Sequence, residues 1–312
     1  MQDLDTAALD CLAALSDAGS FERAAQRLSI TQSAVSQRLR SLESQVGQLL
    51  VVRSRPLRLT EPGKVLLRFA RQLQAMRADV ARELGEHVHT QARLPIAVNA
   101  DSLATWVLPA LDPLVQQGLS DGFGLELIVD DQDFTHEWLR QGQVLGCVST
   151  VPQALRGCRV TVLGVMRYIA VASPGFVARV LGGDAANGLH RGNFAAVPFL
   201  VFNRKDDMQA QWVARAFGVK APRLEERFVP SSEAYARAAT LGWGIGVLPE
   251  LQVRERLDRG ELVQLHPEVN IPVTLHWHQW KLGDDSGPAQ RAAKLDEVGA
   301  ALIAGASAAL AV

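Results

Sequence analysis

The chain has 312 residues, of which 48% are hydrophobic and 21% charged, as is typical of soluble globular proteins with two or three domains. No apolar run reaches the length of a transmembrane helix, so the composition excludes a membrane-spanning protein. The formal net charge is only −1, and its distribution along the chain is therefore more informative than its sum.

The N-terminal residues Met1–Asp5 lack the basic and apolar regions of a secretory signal, which predicts a cytoplasmic protein. The three cysteines, Cys11, Cys147 and Cys158, form no CxxC pair and are expected to be reduced thiols. Basic charge is concentrated between Phe21 and Arg58, where seven arginines stand against two glutamates. One basic end on a neutral chain indicates a domain that binds a polyanion.

The first 50 residues have the pattern of a helix-turn-helix. An apolar face from Leu4 to Leu15 predicts a first helix, which ends at Ala18-Gly19, and Ser20 can cap a second helix from Phe21 to Leu28. A third helix is expected from about Gln32 to Val46, with Thr31 as its N-cap. Its apolar side packs inward and leaves a polar face for reading base edges in the major groove. The predicted DNA-reading residues are Thr31, Gln32, Ser33, Ser36, Gln37 and Arg40.

The next segments predict a wing and a long helix. Two short β-prone runs around Pro56 read as a hairpin whose arginines, Arg53, Arg55 and Arg58, would contact the phosphate backbone. Thr60 then caps a helix that extends to about Leu84, and a single apolar stripe predicts that this helix forms a coiled-coil dimer seam. The seam residues are Leu66, Phe69, Leu73, Met76 and Val80. The polar segment from Glu86 to Arg93 reads as a hinge.

These motifs resemble those of the LysR-type transcriptional regulators. The segments 21–28 (FERAAQRL) and 32–43 (QSAVSQRLRSLE), followed by 59–63 (LTEPG), match the signature of that family. The resemblance implies a winged helix-turn-helix over residues 1–59, a linker and dimerisation helix over 60–89, and an effector-binding domain over 90–312. It also implies three kinds of partner: double-stranded promoter DNA, RNA polymerase, and further copies of the chain in a dimer or a dimer of dimers.

Beyond the hinge, strand-like and helix-like segments alternate, which predicts parallel sheets with ligands at the carboxyl ends of strands. Two sets of such segments and a late return of the chain predict two α/β lobes around a cleft, as in periplasmic solute-binding proteins. We place lobe I at about 93–165 and 267–312, and lobe II at about 166–266. Ala289–Ala309 is expected to close the chain as a helix.

Polar residues follow the predicted strands of both lobes and are candidates for effector binding. Helix N-termini at Ser102 and Ser231 could bind a carboxylate, and nearby aspartates could bind an ammonium or guanidinium group. For each residue, an ordinary helix cap is an equally good interpretation. The candidates are Asn99, Asp101, Ser102, Asp130, Asp131, Phe202, Asn203, Asp206, Asp207, Ser231, Ser232 and Glu233.

Within the family, the chain resembles the arginine/lysine-responsive branch, which is also described as chromosome-initiation-inhibitor-like. The similar segments are 99–111 (NADSLATWVLPAL), 206–208 (DDM) and 231–234 (SSEA). This resemblance implies that intracellular lysine or arginine controls DNA bending and the expression of genes for amino-acid export or metabolism. Arg204 and Lys205 depart from the pattern, and a cationic effector requires both side chains to point away from the cleft.

The sequence has three alternative interpretations. An enzyme is disfavoured because Gly242–Gly246 precedes a strand where a nucleotide-binding loop would open a helix, and because His276 and His278 have no evident third metal ligand. We therefore expect no catalytic residues, no metal and no cofactor. A periplasmic solute-binding protein is disfavoured by the helix-turn-helix and the missing signal. A LysR-type regulator with a different small-molecule effector stays open.

Overall fold

The computed structural model describes residues 4–54, 57–83, 93–118, 124–130, 135–281 and 289–311. The N-terminal domain and its following helix contain α1 (Thr6–Ala18), α2 (Phe21–Arg27), α3 (Gln32–Val46), β1 (Val51–Val52), β2 (Arg58–Leu59) and α4 (Glu61–Glu83). The predicted hinge residues 86–92 lie outside the described residues.

The remaining elements follow in chain order. They are β3 (Arg93–Asn99), α5 (Ala100–Ser102), a π-helical segment (Leu103–Val107), α6 (Leu108–Gly118), β4 (Gly124–Asp130), α7 (Thr135–Arg140), β5 (Gly146–Ser149), β6 (Cys158–Ala172), α8 (Pro174–Val180), a 3₁₀ turn (Phe194–Ala196), β7 (Pro198–Val201), α9 (Met208–Phe217), β8 (Glu225–Phe228), α10 (Ser232–Thr240), β9 (Gly246–Pro249), α11 (Glu250–Asp258), β10 (Val263–Trp280) and α12 (Ala289–Ala309).

Local caps set the helices of the N-terminal domain. Asp5 and Ser20 accept hydrogen bonds from the first turns of α1 and α2, and Gly19 takes the left-handed conformation that ends α1. Ser29, between α2 and α3, also has a positive φ of 53°, which makes the turn sharp. The three helices enclose a core in which Leu12, Leu15 and Leu39 are almost fully buried.

The wing is fixed to this core by two contacts. The Glu43 carboxylate on α3 accepts hydrogen bonds from the backbone amides of Leu50, at 2.9 Å, and Val51, at 3.3 Å. These two bonds orient β1. At Gly63, a Cβ atom would lie 2.0 Å from the carbonyl oxygen of Leu50, so only glycine permits α4 to start this close to the wing. Helix α4 therefore starts in close contact with the wing.

Two long strands connect the two lobes of the C-terminal part. β6 and β10 are antiparallel to each other and lie inside a six-stranded sheet of order β4-β3-β5-β10-β6-β9. β3 pairs in parallel with β4 and β5, and β7 pairs in parallel with β8. A bridge between Phe199 and Ile245 joins the β7–β8 pair to the β9 side.

The sequence prediction of parallel strands is correct for β3, β4, β5, β7 and β8, and it missed the antiparallel pair. Within these two strands, the sequence predicted only the short segments Tyr168–Ala172 and Pro272–Trp277, whereas β6 contains 15 residues and β10 contains 18. Both strands run through two packing environments, so neither has one continuous apolar or alternating pattern. The parallel strands bring their carboxyl ends to the space between the lobes, where Asn99 and Asp130 are register partners.

Candidate functional site

The polar face of α3 is exposed on the N-terminal domain. Val35, Leu39 and Leu42 are buried toward α1 and α2, and the Thr31 hydroxyl caps the helix by accepting a hydrogen bond from the Ala34 amide at 3.2 Å. The opposite side is therefore presented to solvent. Its exposed members are Thr31, Gln32, Ser33, Gln37 and Arg40, and Ser36 is half-buried.

The wing lies beside this face and carries cations. Arg53 and Arg58 are exposed, and the Arg53 guanidinium lies 5.2 Å from the centre of the Phe21 ring at the start of α2. The third predicted wing arginine, Arg55, lies outside the described residues. A polar helix face flanked by exposed arginines has the chemistry to read base edges and to bind phosphates.

A second candidate site is a cavity between the lobes. It is partly open to solvent, and its volume of about 60 Å³ is below the range usual for small-molecule sites. Lobe I contributes the end of β3 and the start of α5, and lobe II contributes the loop after β7 and the first turn of α10. The lining residues are Asn99, Ala100, Asp101, Tyr168, Phe202, Asp206, Met208, Ser232, Tyr235, Val247 and Leu248.

Asp101 links the two lobes across this cavity. Its carboxylate accepts hydrogen bonds from the Tyr168 hydroxyl at 2.7 Å and from the Ser232 hydroxyl at 2.6 Å. The Gln252 amide donates in turn to the Ser232 hydroxyl oxygen at 3.0 Å. Burial raises the pKa of Asp101, these two hydrogen bonds oppose the increase, and the nearby Asp206 carboxylate adds to it.

Asp206 is held in place by its own loop. Its carboxylate accepts hydrogen bonds from the Phe202 amide at 2.9 Å, the Met208 amide at 3.1 Å and the Gln209 side chain at 3.0 Å. The same Gln209 amide group donates to the Tyr235 hydroxyl, which donates to the Leu200 carbonyl. Burial raises the pKa of Tyr235, so its hydroxyl stays a donor. The two carboxylates therefore sit in a rigid hydrogen-bonded frame.

The cavity holds negative charge and an unsatisfied acceptor. Among the described residues that line it, none is a lysine or arginine. The Oδ1 atom of Asn99 is buried without a hydrogen-bond partner, and buried polar atoms in proteins normally have one. A bound molecule with a positive charge and hydrogen-bond donors would satisfy these groups.

The structure divides the sequence-predicted effector residues into three groups. Asn99, Asp101, Phe202, Asp206 and Ser232 line the cavity. Five others do not line it. Ser102 is buried, Ser231 caps α10, and Glu233 lines a separate surface groove. Asn203 accepts a hydrogen bond from the Lys205 amide, and Asp207 accepts one from the Gln211 side chain. Asp131 lies outside the described residues, and the side chain of Asp130 is not described.

The two cations beside Asp206 do not line the cavity. Arg204 and Lys205 are both exposed, and the Arg204 guanidinium lies 5.6 Å from the centre of the Phe228 ring on β8. The condition that the sequence set for a cationic effector is therefore met.

Apart from Phe202, sequence reasoning missed the aromatic and apolar lining of the cavity. Tyr168 and Tyr235 are within an apolar strand and a small-residue helix, where periodicity assigns them to the core. Their rarity was the available signal, because the chain contains only two tyrosines and both line the cavity. Met208, Val247 and Leu248 carried no such signal.

Helix α4 presents the apolar face proposed as a seam, with two corrections. Phe69, Met76 and Val80 are exposed at 42%, 45% and 53%, and Val65 joins them at 54%. Leu66 and Leu73, both predicted to be in the seam, pack in the N-terminal core instead, where Leu66 is 9% exposed and Leu73 is half-buried. The reason is that α4 must also cover α1, so one side of its apolar surface is already used.

The features that could suggest an enzyme have structural explanations. Gly242 has a φ of +77° and ends the turn between α10 and β9. His276 and His278 point to one side of β10 and are buried. Within the part of the chain that the structure describes, no group of three or more His, Cys, Asp or Glu side chains is arranged to hold a metal ion. None of the described helices is long and apolar enough to cross a membrane.

Comparison with known proteins identifies relatives of both parts. Residues 6–64 match the family model of the bacterial regulatory helix-turn-helix protein, lysR family, and residues 87–292 match the LysR substrate binding domain. The regulator ArgP of Aeromonas salmonicida is 42% identical over 283 residues, which cover 90% of this chain and 92% of the relative. The regulator LysG of Mycobacterium tuberculosis H37Rv is 41% identical over 280 residues, covering 89% and 88%.

Two solved structures match along almost the whole chain. ArgP from Mycobacterium tuberculosis superposes with a TM-score of 0.76 and 38% identity, covering 99% of each chain. Full-length LysG from Corynebacterium glutamicum, solved with its effector arginine bound, superposes with a TM-score of 0.72 and 33% identity, covering 99% of this chain and 100% of the other.

Proposed function

The chain belongs to the LysR family of bacterial DNA-binding transcriptional regulators, and we propose that a basic amino acid bound in the interlobe cavity controls its activity. Members of this family are regulators and not enzymes. The effector we propose is lysine or arginine, and the residues that would bind it include Asn99, Asp101, Asp206 and Ser232.

The observation that carries this proposal is the pair of carboxylates in the cavity. Asp101 and Asp206 are close enough for one to raise the pKa of the other, and no basic side chain among the described lining residues neutralises them. A ligand cation between two carboxylates gains charge-assisted hydrogen bonds and relieves their repulsion. A neutral or anionic ligand would leave that repulsion in place.

The relatives support the same class of effector. The LysG structure that superposes along the full chain holds arginine, and the two curated relatives are named ArgP and LysG. The outward positions of Arg204 and Lys205 leave the cavity negative. The buried Asn99 oxygen is an acceptor suited to the α-ammonium group that every amino acid carries.

For DNA binding, we propose that α3 enters the major groove while the wing contacts the backbone. Thr31, Gln32, Ser33, Ser36, Gln37 and Arg40 would face the bases, and Arg53, Arg55 and Arg58 the phosphates. Two copies would pair through the exposed face of α4 formed by Val65, Phe69, Met76 and Val80, and dimers would pair again. Effector closure of the lobes would then reorient the subunits, change the DNA bend and alter the encounter with RNA polymerase.

The experiment that tests the effector is calorimetric titration of the full-length protein with lysine, arginine, citrulline and norleucine. The last two keep much of the shape and lack the side-chain cation. We expect lysine or arginine to bind at least tenfold more tightly than its neutral analogue, which corresponds to about 1.4 kcal/mol. Equal binding of charged and neutral analogues, or no binding of either basic amino acid, would refute a basic effector and favour a different small molecule.

A further inference from the structure

Helix α4 has three faces, and the third has no role in the function described so far. One face packs in the N-terminal core through Leu66, Ala70 and Leu73, and a second is the exposed apolar seam. The third carries Lys64, Arg68 and Arg71, whose spacing of four and three residues aligns them on one side of the helix. We call these three residues the docking face.

Each residue of the docking face contacts lobe I of the effector domain. The Lys64 ammonium lies 3.2 Å from the Glu137 carboxylate on α7. The Arg68 guanidinium lies 5.1 Å from the centre of the Trp280 ring at the end of β10. Arg71 donates to the carbonyl oxygen of Gly142, just after α7, at 2.6 Å.

Arg71 joins the two domains with one guanidinium group. Its other terminal nitrogen donates to the Asp17 carboxylate of α1 at 2.6 Å, and Asp17 also pairs with Arg27 of α2 at 3.1 Å. Only 21% of the Arg71 side chain is exposed. Charge-assisted pairs that are largely shielded from water hold their geometry better than exposed pairs, whose contribution is small.

The turn at Gly142 is shaped to receive this helix. Gly142 has a φ of +69°, and a Cβ atom there would lie 2.4 Å from Cγ of Arg68. The aliphatic stem of Arg68 therefore lies against bare backbone, while its charged end reaches Trp280, which is 8% exposed. A side chain at this position would separate the two surfaces.

We propose that the docking face is an interdomain contact that holds the DNA-binding domain against lobe I, with Arg71 as its positioning residue. The contacted turn belongs to α7, which packs on β3 and β5, and β3 ends at Asn99 in the cavity. Lobe I thus contributes both to the wall of the interlobe cavity and to the surface that the DNA-binding domain touches.

The test uses full-length protein labelled with fluorotryptophan, without DNA or effector, and follows the ¹⁹F resonance of Trp280, assigned with Trp280→Phe. Arg71→Gln should shift this resonance toward the value of a solvent-exposed indole, because loosening the interdomain contact exposes the Trp280 ring. Arg77→Gln is the matched control, because it removes the same charge from the same helix but breaks a pair with Asp10 inside the N-terminal domain.

A second pair of variants controls for backbone strain. Gly142→Ala and Gly182→Ala introduce a side chain at nearly the same positive φ, +69° and +67°, but only Gly142 faces α4, and a Cβ at Gly182 would meet nothing within 4 Å. We expect Gly142→Ala to shift the Trp280 resonance as Arg71→Gln does, and Gly182→Ala to leave it unchanged. The proposal is overturned if Arg71→Gln behaves like Arg77→Gln, or if Gly142→Ala behaves like Gly182→Ala.

Discussion

The two candidate sites of this protein are built in opposite ways. The DNA-reading face comes from one helix, α3. Its exposed side chains are those that lie opposite the apolar positions, which repeat every 3.6 residues and are buried. The interlobe cavity comes from five distant segments of the chain, with Asp101 and Ser232 meeting across 131 residues of sequence. The first site is thus a property of a local pattern, and the second is a property of the tertiary fold.

This difference determines how each site responds to substitution. On the DNA-reading face, Gln32, Ser33 and Gln37 are exposed in the free protein, so removing one of them costs mainly the contact that it would make with DNA. In the cavity, Asp101 is bound to Tyr168 and Ser232 in a desolvated frame, so a change there also alters its neighbours. We therefore expect larger single-residue effects in the cavity than on the DNA-reading face.

The largest effect is expected for Asp101→Asn on effector affinity. Removing one member of a buried, hydrogen-bonded charge pair costs about 2–5 kcal/mol, so lysine or arginine binding should weaken between about thirtyfold and a few thousandfold. Because the pKa of Asp101 is raised, its protonation should weaken effector binding by the wild type as the pH falls. This loss should begin at a higher pH than for an ordinary carboxyl group, and Asp101→Asn should not show it. Calorimetry at several pH values measures both effects.

The matched control for that variant is Asp207→Asn. Asp207 is the neighbour of Asp206 in sequence, but it is exposed and accepts a hydrogen bond from Gln211 outside the cavity. We expect the affinity of the Asp207→Asn variant for lysine and arginine to stay within threefold of the wild-type affinity. If both variants lost affinity equally, the cavity would not be the place where the cation binds.

The same contrast explains what the sequence could predict. The bounds of α3 and α12 agree with the sequence prediction. For α3, the Thr31 cap, the apolar spacing and Gly47 at the C-terminal end are all signals within a short stretch of sequence. The long strands β6 and β10 were only partly predicted, because each runs through two packing environments and so has no single hydrophobic pattern along its length.

In the cavity, the polar residues at strand ends were predictable and their selection was not. Asp206 and Asp207 are chemically identical in sequence, and only the fold turns one toward the lobe interface and the other toward α9. Tyr168 and Tyr235 were missed for the same reason, since a buried aromatic residue in an apolar strand or helix has no local sign of a ligand.

An intermediate effect is expected for Gln37→Ala on specific DNA binding. A lost bidentate base contact costs about 1–3 kcal/mol, so affinity for the operator should fall between about fivefold and 150-fold, with little change for unrelated DNA. Gln48→Ala removes an identical exposed side chain from the segment that follows α3 and should change operator affinity less than twofold. Competition binding with operator and random duplexes distinguishes the two variants. Equal losses on both duplexes would contradict a base-reading role for Gln37.

The smallest effect is expected in the wing, where the contact is electrostatic and carries no sequence information. Arg58 is exposed, so Arg58→Ala should weaken operator and random DNA by the same modest factor and reduce the slope of log affinity against log salt by about one unit. Arg254→Ala, which removes an exposed arginine from α11 in lobe II, should leave the slope unchanged. Fluorescence anisotropy across a salt series measures the slope. An unchanged slope for Arg58→Ala would mean that the wing does not reach the phosphates, and α3 would then bind DNA without support from the wing.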